Sequence, residues 1–375
     1  AASSADLLRW TLEGAVIPVD GDRWAYSGSV RVRGSDLEAW HTEHRDGLER
    51  QTRRRSSDGG LSWSAPDAAL GSSRRDWRDP FVFCDGSVEF MALAAPCPWA
   101  DDGAASRSRL EIYASIDGGL EWARTAILGP WAPPRVLWET PFLVHDVDGG
   151  WSLVASEVDR RVGALCAVRR WRGRFADGVF ERADPSDDHG ARMDFGPDFY
   201  ACAPAAFGDE ATGEPIIIGW ASSWETARRF PWPGFSGGPI SLPRRLTPRG
   251  AAPLTSILSS FITPAEAPPS AGLGVFTADE GFRLRATGTG ACLEVDCSPD
   301  GALVVTRSGA GLDWSCDAPP SGCRSPRRVH VFVDGPLIEI HLDPDDRWIT
   351  AAVPVEGAFD VAADGDSGIA WRRLG

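Results

Sequence analysis

Short apolar and alternating runs dominate the chain. Pro80–Cys84, Val88–Leu93 and Leu110–Ala114 are typical, and comparable runs return at Arg328–Phe332 and Leu337–Leu342. Alternation with a period of two puts successive side chains on opposite faces of a β-strand, and few stretches have the longer period of a helix. The pattern predicts an all-β protein, with further strands at Val30–Arg33, Thr140–His145, Ser152–Ser156, Ala164–Arg169 and Glu214–Ala221.

A turn motif recurs in the first part of the chain. Ser56–Trp63 and Ser115–Trp122 both have the pattern Ser-x-Asp-x-Gly-x-x-Trp, and Ser4–Trp10 is a shorter form. Asp and Gly supply the turn, Ser and Asp side chains can bond nearby amides, and the Trp starts the next strand. A hairpin that returns at wide spacing indicates the radial blades of a β-propeller, with a β-sandwich as the alternative.

The composition changes after Leu246, where Pro and Ala become frequent and Thr263–Gly272 has the sequence TPAEAPPSAG. Such a stretch is typical of an inter-domain connection, and alternating strand patterns resume beyond it. We therefore predict a propeller-type domain over residues 1–255, a linker over 256–272 and a β-sandwich domain over 273–375.

Charge and composition narrow the choice of partner. The formal net charge of −15 repels nucleic acid and anionic membranes, and no apolar run is long enough to span a bilayer. We therefore expect a neutral partner. Trp is abundant, at 17 against 3 Tyr, and Trp both builds β-protein cores and forms platforms on which sugar rings stack.

The eight cysteines are scattered and form no Cys-x-x-Cys pair or Cys/His cluster. This argues against a zinc site, and we expect neither a metal nor a cofactor. Cys316 and Cys323 are close enough in sequence to bridge a short loop, but buried free thiols are an equal alternative.

Two acidic residues precede apolar strands in similar settings. Trp77–Pro80 (WRDP) leads into Phe81–Phe83, and Trp138–Pro141 (WETP) leads into Phe142–Val144. An Arg neighbour holds a carboxylate ionised, whereas an acid between Trp and an apolar strand is desolvated, as a general acid requires. Taken alone, each motif is more typical of a structural role, which is a salt bridge or turn at Asp79 and a structural acid at Glu139.

Three further motifs combine polar and aromatic residues: Asp194–Ala201 (DFGPDFYA), Gly219–Trp224 (GWASSW) and Pro239–Arg244 (PISLPR). Aromatic rings offer flat stacking surfaces, and carboxylates accept hydrogen bonds from sugar hydroxyls. A turn that enters a sheet is the plain alternative for each.

Taken in order, these motifs resemble glycoside hydrolase family 32. That family comprises the invertases, inulinases, levanases and sucrose-6-phosphate hydrolases, each with a five-bladed β-propeller followed by a β-sandwich. Arg78–Pro80 matches the family's RDP motif, and Trp138–Pro141 matches WECP with Thr for Cys. Tyr26–Ser29 is similar to the FSGS turn. The remaining similarities are Asp194–Ala201 to DxGxDFYA, Gly219–Trp224 to GWMxNW with Ser223 for Asn, Pro239–Arg244 to SLPR, and Val329–Leu342 to VDxSxxEVF.

The resemblance implies a retaining glycosidase that cleaves terminal β-D-fructofuranosyl linkages of sucrose or fructan oligosaccharides. It assigns Glu139 as the general acid/base and Asp79 as the transition-state stabiliser. The implied substrate-binding residues are Tyr26, Ser27 and Asp198 in the fructosyl subsite, Trp224 as a stacking residue, and Arg78 to orient the acids.

The same resemblance points to a segment that the sequence lacks. The family nucleophile is the Asp of a WMNDPNG-type motif before the FSGS turn, and this chain contains no Asn. Ala2–Trp10 resembles the HAxSxDLxxW stretch that follows the nucleophile, and the early carboxylates Asp6, Asp20 and Asp22 do not lie in a comparable motif. We therefore expect an incomplete first blade, an absent nucleophile segment whose arrival would complete the propeller, and self-association of the chain alone through unpaired strand edges.

Several alternatives stay open at this point. The chain is a fragment of an ordinary enzyme, one of two assembling pieces, or an inactive homologue that binds fructans. A fructosyltransferase differs only in whether a sugar or water meets the fructosyl-enzyme. Sialidases share the turn repeat but use a Tyr nucleophile with an Arg cluster. Tyr26, Tyr113 and Tyr200 are available for that role, although the ordered acid motifs argue against it.

Overall fold

The computed structural model describes residues 2–15, 17, 21–96, 108–129, 131, 136–159, 165–208, 212–230, 238–323, 327–364 and 368–374. Nearly every regular element in these ranges is a β-strand, and the two helices, α1 (Trp224–Arg229) and α2 (Thr255–Ser259), are short. The prediction of an all-β protein is confirmed. No helix in the described part of the chain is long and apolar enough to cross a membrane.

Two compact units divide the chain. One comprises Ala1–Val162, Val168–Ala191 and Ala203–Gly208, and the other comprises Gly163–Ala167, Arg192–Cys202 and Asp209–Gly375. This division differs from the predicted domains, whose boundaries stay a prediction.

The first unit is built from a short hairpin and three antiparallel sheets. Its strands are β1 (Ala2–Ser3), β2 (Thr11–Leu12), β3 (Trp24–Arg33), β4 (Asp36–Arg45), β5 (Leu48–Ser56), β6 (Ala68–Arg74), β7 (Arg78–Asp85), β8 (Val88–Pro96), β9 (Ser108–Ser115), β10 (Ala123–Leu128), β11 (Val136–His145), β12 (Trp151–Asp159), β13 (Leu165–Ala176), β14 (Val179–Arg182) and β15 (Ala191–Arg192). The sheet orders are β3-β4-β5-β6, β10-β9-β8-β7 and β11-β12-β13-β14, with β15 on β13 and β1 on β2. Each of β3, β7 and β11 is therefore both the first strand and an edge strand of its sheet.

Buried apolar side chains join these sheets in pairs. One cluster contains Trp40 of β4 and Met91 of β8, and a second contains Phe83 of β7 and Leu153 of β12. Trp138 lies in the second cluster, directly before Glu139. Burial of aromatic and aliphatic side chains on both faces of the middle sheet fixes the three sheets against one another.

The recurring turns form as their sequence predicts. Ser56 Oγ accepts a hydrogen bond from the Gly60 amide at 2.9 Å, and Ser115 Oγ accepts one from the Gly119 amide at 3.0 Å. The paired Asp of each copy also accepts backbone amides, and the shorter copy has the same kind of bonds. These side-chain bonds satisfy turn amides that the strands leave unpaired.

The second unit contains three further antiparallel sheets. Its strands are β16 (Tyr200–Gly208), β17 (Pro215–Trp220), β18 (Arg244–Leu246), β19 (Ala251–Pro253), β20 (Phe261–Ala265), β21 (Ala271–Ala278), β22 (Phe282–Thr287), β23 (Ala291–Cys297), β24 (Leu303–Gly309), β25 (Trp314–Ala318), β26 (Arg327–Asp334), β27 (Leu337–Asp343), β28 (Arg347–Ala352), β29 (Asp360–Asp364) and β30 (Ala370–Leu374). The sheet orders are β16-β17-β18-β19, β20-β30-β21-β26-β27-β28 and β25-β24-β23-β22-β29. One hydrophobic cluster takes side chains from both larger sheets, such as Leu293, Val305, Val331 and Ile340.

The stretch predicted as a linker is largely folded. It contains most of α2, and β20 pairs with β30 in the six-stranded sheet. Pro264 lies within β20. Proline is tolerated there because β20 is an edge strand, whose outward amides need no partner.

Cys316 and Cys323 are free thiols. The alternative of a bridge between them is therefore wrong, and the alternative of free thiols is confirmed for this pair, although both side chains are only partly buried.

Candidate active site

The predicted acids lie where the first strands of two neighbouring sheets are distorted. The register of β7 against β8 shifts after Arg78, and that of β11 against β12 shifts after Glu139. Within these bulges, Asp79 and Thr140 have φ of 61° and 48°. Non-glycine residues rarely adopt positive φ, and bulges often re-aim side chains beside active sites. The strained backbone at Asp79 and Thr140 is therefore itself an indication of a functional site.

The two carboxyl groups converge from separate sheets of the first unit. Asp79 Oδ2 accepts a hydrogen bond of 2.8 Å from the amide of Thr140, the residue that follows Glu139. Arg78 Nη1 in turn donates to Glu139 Oε1 at 3.1 Å. The motifs at 78–80 and 138–141, which are about sixty residues apart in sequence, thus form one cluster.

Asp79 is the more deeply buried of the two acids, with 6% of its surface exposed. Burial and, to a smaller extent, the nearby charge of Glu139 raise the pKa of its carboxyl to about 7, against the opposing effects of the Thr140 amide and the Arg78 guanidinium. The pKa of Asp79 is thus raised, not lowered as its Arg neighbour led us to expect, because desolvation outweighs the attraction of the Arg78 guanidinium.

Glu49 belongs to the same cluster and was missed by sequence reasoning. It is buried, and its carboxylate binds the Arg78 guanidinium through Oε1 at 2.7 Å. It lies on β5, whose sequence LERQTRRRS has no apolar alternation to single it out. The one signal is its spacing from Gln51, which puts both polar side chains on the same face of the strand.

Tyr26 and Ser27 lie in a third bulge, where the register of β3 against β4 shifts between Ala25 and Gly28. Both side chains are exposed, and the Tyr26 ring stacks on His44 with centroids 4.8 Å apart. Their substrate-binding role stays a prediction. The first strands of three consecutive sheets thus all carry a bulge at a predicted site residue.

Asp198 lies in a buried ion pair of the second unit. Its Oδ2 binds Arg307 and accepts the Ala352 amide at 2.8 Å, and its Oδ1 accepts the Ser223 hydroxyl at 3.0 Å. With 0% of its surface exposed, the carboxylate is engaged within the protein. This position favours the structural alternative over direct contact with a sugar.

Trp224 is the first residue of α1, whose amino end is capped by Ser223. The indole is 44% exposed and meets Trp220 edge to face at 5.3 Å. An exposed indole that is braced by a second one suits stacking against a sugar ring, and this role stays a prediction.

The early carboxylates have ordinary structural partners where they are described. Asp6 accepts the amides of Arg9 and Leu8 in its turn, and these bonds lower its pKa to about 2. Asp22 pairs with Arg45 at 2.9 Å. Asp20 lies outside the described residues.

Tyr113, one of the three tyrosines open to a sialidase role, lies beside Arg74 in a structural network. Tyr113 donates to Glu111 at 2.7 Å, and Glu111 also binds Arg74 and Arg109. Burial and the hydrogen bond to Glu111 together raise the pKa of Tyr113 to about 12. Because a nucleophilic phenol must lose its proton easily, this geometry argues against that alternative.

No group of three or more His, Cys, Asp or Glu side chains in the described ranges is arranged to hold a metal ion.

Curated relatives are similar to part of the chain. The extracellular exo-inulinase InuE of Aspergillus niger is 27% identical over 216 residues, which is 51% of this chain and 37% of the relative. The levanbiose-producing levanase of Bacillus subtilis is 26% identical over 261 residues, which is 63% of this chain and 47% of the relative. The matched part thus spans less than half the length of either relative.

Solved structures of similar fold cover the whole chain. The β-fructofuranosidase of Bombyx mori has a TM-score of 0.76 at 20% identity, covering 100% of this chain and 84% of that one. The exo-inulinase of Aspergillus awamori has a TM-score of 0.79 at 17% identity, covering 100% and 89%. These likenesses show a shared fold.

The profile of the glycosyl hydrolases family 32 N-terminal domain matches residues 1–254, which include both acid motifs and all three bulges. This match covers well over half of the sequence. The chain belongs to glycoside hydrolase family 32.

Proposed function

We propose that this protein takes part in hydrolysis of terminal β-D-fructofuranosyl linkages of sucrose or fructans by a retaining two-carboxylate mechanism. The convergence of Asp79 and Glu139 on strained bulges of neighbouring sheets carries the proposal. The names of relatives support the substrate class, since they include an exo-inulinase and a levanase, and one solved relative is a complex with sucrose.

Each residue of the cluster has a chemical task in this proposal. Glu139 protonates the leaving oxygen and later takes a proton from water. Arg78 donates a hydrogen bond to Glu139 and thereby orients its carboxyl group. Asp79 accepts hydrogen bonds from fructosyl hydroxyls, while Tyr26, Ser27 and Trp224 supply contacts to the sugar.

A retaining mechanism also requires a carboxylate nucleophile in addition to Glu139. The early carboxylates Asp6 and Asp22 are engaged in a turn and an ion pair. In a retaining site the nucleophile would face Glu139 at ~5–5.5 Å and form a fructosyl-enzyme that water then releases.

The same proposal accounts for the sheets. The sheets that begin with β3, β7, β11 and β16 are four blades in this proposal, and the hairpin of β1 and β2 belongs to a fifth. The two larger sheets that share one core form the β-sandwich. The domain boundaries proposed are residues 1–255 and 273–375.

Hydrolysis of sucrose and levan by this protein tests the proposed function. Changing Glu139→Gln removes the acid proton and keeps the size of the side chain, so we expect turnover to fall ~10²–10⁴-fold. Glu181→Gln is a matched control, because Glu181 is exposed on β14 of the same sheet and pairs with Arg174. Near-parent turnover in the Glu139 variant would exclude its role as acid/base.

A further inference from the structure

The bulge at the start of β7 leaves one backbone amide without a strand partner. The register against β8 passes from Arg78 to Phe81, so Asp79 and Pro80 lie opposite no residue of β8. Proline has no amide, but the buried amide of Asp79 needs an acceptor. It donates to Thr42 Oγ1 at 2.9 Å. A hydroxyl from the neighbouring sheet therefore replaces the missing ladder bond.

Gln51 fixes the direction of that hydroxyl. Thr42 on β4 and Gln51 on β5 are directly opposite in the sheet, and both side chains are fully buried. The Thr42 hydroxyl donates to Gln51 Oε1 at 2.7 Å. Because this bond uses the hydroxyl proton, Thr42 Oγ1 meets the Asp79 amide as an acceptor.

The same sheet also holds the beginning of the turn. Gln51 Nε2 donates to the Trp77 carbonyl at 2.6 Å, and the Trp77 amide donates to Glu49 Oε2 at 2.7 Å. Three side chains of β4 and β5 thus hold both ends of the turn from Trp77 to Asp79, and Asp79 itself has a φ of 61°. Such a conformation persists only where the surrounding structure over-determines it.

The carboxyl group of Asp79 is held from a different sheet. Its Oδ2 accepts the amide of Thr140 on β11 at 2.8 Å, whereas none of the described residues is hydrogen-bonded to Oδ1. Oδ1 is therefore the oxygen that can accept a substrate hydroxyl. Where Oδ1 lies depends on both anchors, which are the bond from the Asp79 amide to Thr42 and the bond from Thr140 to Oδ2.

We propose that Thr42 and Gln51 are positioning residues for Asp79: the hydrogen-bonded chain from Gln51 through Thr42 to the Asp79 amide sets where the carboxylate meets the sugar. The inference rests on the proposed function, in which Asp79 stabilises the transition state. Neither Thr42 nor Gln51 touches substrate in this role. Bonds that strengthen in the transition state require accurate placement, so a loosened Asp79 lowers kcat and leaves KM nearly unchanged.

Thr42→Val tests the inference, because valine has nearly the shape of threonine but lacks its hydroxyl. The Asp79 amide then loses its acceptor and the turn relaxes. We expect kcat on sucrose to fall about tenfold, with KM within about twofold of the parent. Thr42→Ser restores the hydroxyl and should return kcat to within about threefold of the parent.

Three results with these variants would overturn the inference. The first is a parent-like kcat for Thr42→Val, and the second is a rise in KM at unchanged kcat, which would indicate a role in binding alone. The third is a kcat for Thr42→Ser as low as that of Thr42→Val.

Thr52→Val is the matched control. Thr52 is as deeply buried as Thr42 and lies on the same sheet, but it follows Gln51 directly and so faces the opposite side. Its hydroxyl lies 3.2 Å from His41 Nε2, away from the turn. This variant should keep the parent kcat. A fall equal to that of Thr42→Val would indicate a general loosening of the sheet and would contradict the proposal.

A second substitution covers the case in which Thr42→Val does not fold. Thr42→Cys then takes its place, because a thiol accepts hydrogen bonds only weakly. The same fall in kcat is expected, and a parent-like kcat would exclude the positioning role.

Amide hydrogen exchange separates this inference from the proposed function. If the parent cleaves neither sucrose nor levan, the proposed function fails by itself, and the hydrogen-bonded chain is still open to test. The peptide from Trp77 to Phe83 should exchange faster in the Thr42 variant than in the parent or in Thr52→Val. Equal exchange in all three proteins would overturn the inference.

Discussion

Asp79 occupies a position where its charged form is unfavourable. It is buried, it lies beside Glu139, and its φ of 61° is unusual for a residue with a side chain. The Thr140 amide and the Thr42 hydroxyl hold it there. A residue kept in such a place against its own preference is typical of a functional site, because the surrounding fold must compensate for its cost.

Asp79→Asn should stabilise the protein at alkaline pH. Asn keeps an acceptor for the Thr140 amide and tolerates positive φ. Burial raises the pKa of Asp79 from 3.8 to about 7, so its contribution to stability is present in acid and is lost as the pH rises through 7. Urea unfolding at pH 8 should give a free energy roughly 1–3 kcal/mol above the parent, with little difference near pH 4. An equal or lower value at pH 8 would contradict the burial argument.

At the residue scale, the sequence reveals those candidate site residues that stand in short motifs. Asp79 and Glu139 could be found because each stands in a compact string of residues before an apolar strand. Glu49 could not, because its importance comes from β5 lying beside the turn at Trp77. Asp198 also stands in a compact motif, but its ion-pair partner Arg307 is more than a hundred residues away in sequence. The sequence alone therefore does not reveal that this carboxylate is engaged within the protein.

At the element scale, the bulges on β7 and β11 share one sequence feature. Pro80 and Pro141 follow directly after the residues with positive φ. Proline cannot donate to a ladder, so within sheets it is confined to edges and bulges. An acid motif that ends in proline at the start of an edge strand therefore signals a distortion as well as a strand, although alternation alone predicts only the strand.

The six-stranded sheet contains a buried histidine pair that should make it sensitive to acid. His330 on β26 and His341 on β27 stack with centroids 5.6 Å apart, and Asp346 faces His341 at 3.4 Å. Burial, together with the charges of His341 and Arg328, lowers the pKa of His330 from 6.5 to about 4. Between pH 6.5 and 4, His330 therefore binds a proton in the unfolded chain but not in the folded protein, and this difference destabilises the fold as the pH falls.

His330→Gln should reduce this sensitivity, because a neutral amide has no proton to gain. For the parent we expect the contribution of His330 to fall by about 2 kcal/mol as the pH drops from 7 to 4. Urea unfolding across that range should show a flatter profile for the variant. His189→Gln is the control, because His189 is exposed, and it should leave the dependence of the unfolding free energy on pH as in the parent. A parent-like dependence for His330→Gln as well would contradict a neutral, buried His330 ring.

At the scale of the whole chain, repetition explains how distant residues meet. Tyr26, Asp79 and Glu139 lie on β3, β7 and β11, which are the first strands of successive sheets in the first unit. Shared buried clusters pack each sheet against the next. Equivalent places in repeated elements are thus brought near one another without long connections.

The fold class could be predicted from alternation, Gly and Pro content and the recurring turns. The place of Thr263–Gly272 in the fold could not, because this stretch has a linker composition but overlaps strands β20 and β21 of one sheet. Composition reports how well a segment suits a loop, whereas the pairing of β20 with β30 depends on residues at the far end of the chain.

A double-mutant cycle between Asp79→Asn and Glu139→Gln, measured as free energies of unfolding at pH 8, tests the convergence of the two acids most directly. Because each charge makes the other costlier to bury, removing both should stabilise the protein by less than the sum of the single changes. We expect a coupling of about 1 kcal/mol or more. Additivity within roughly 0.3 kcal/mol would show that the two carboxyl groups do not meet.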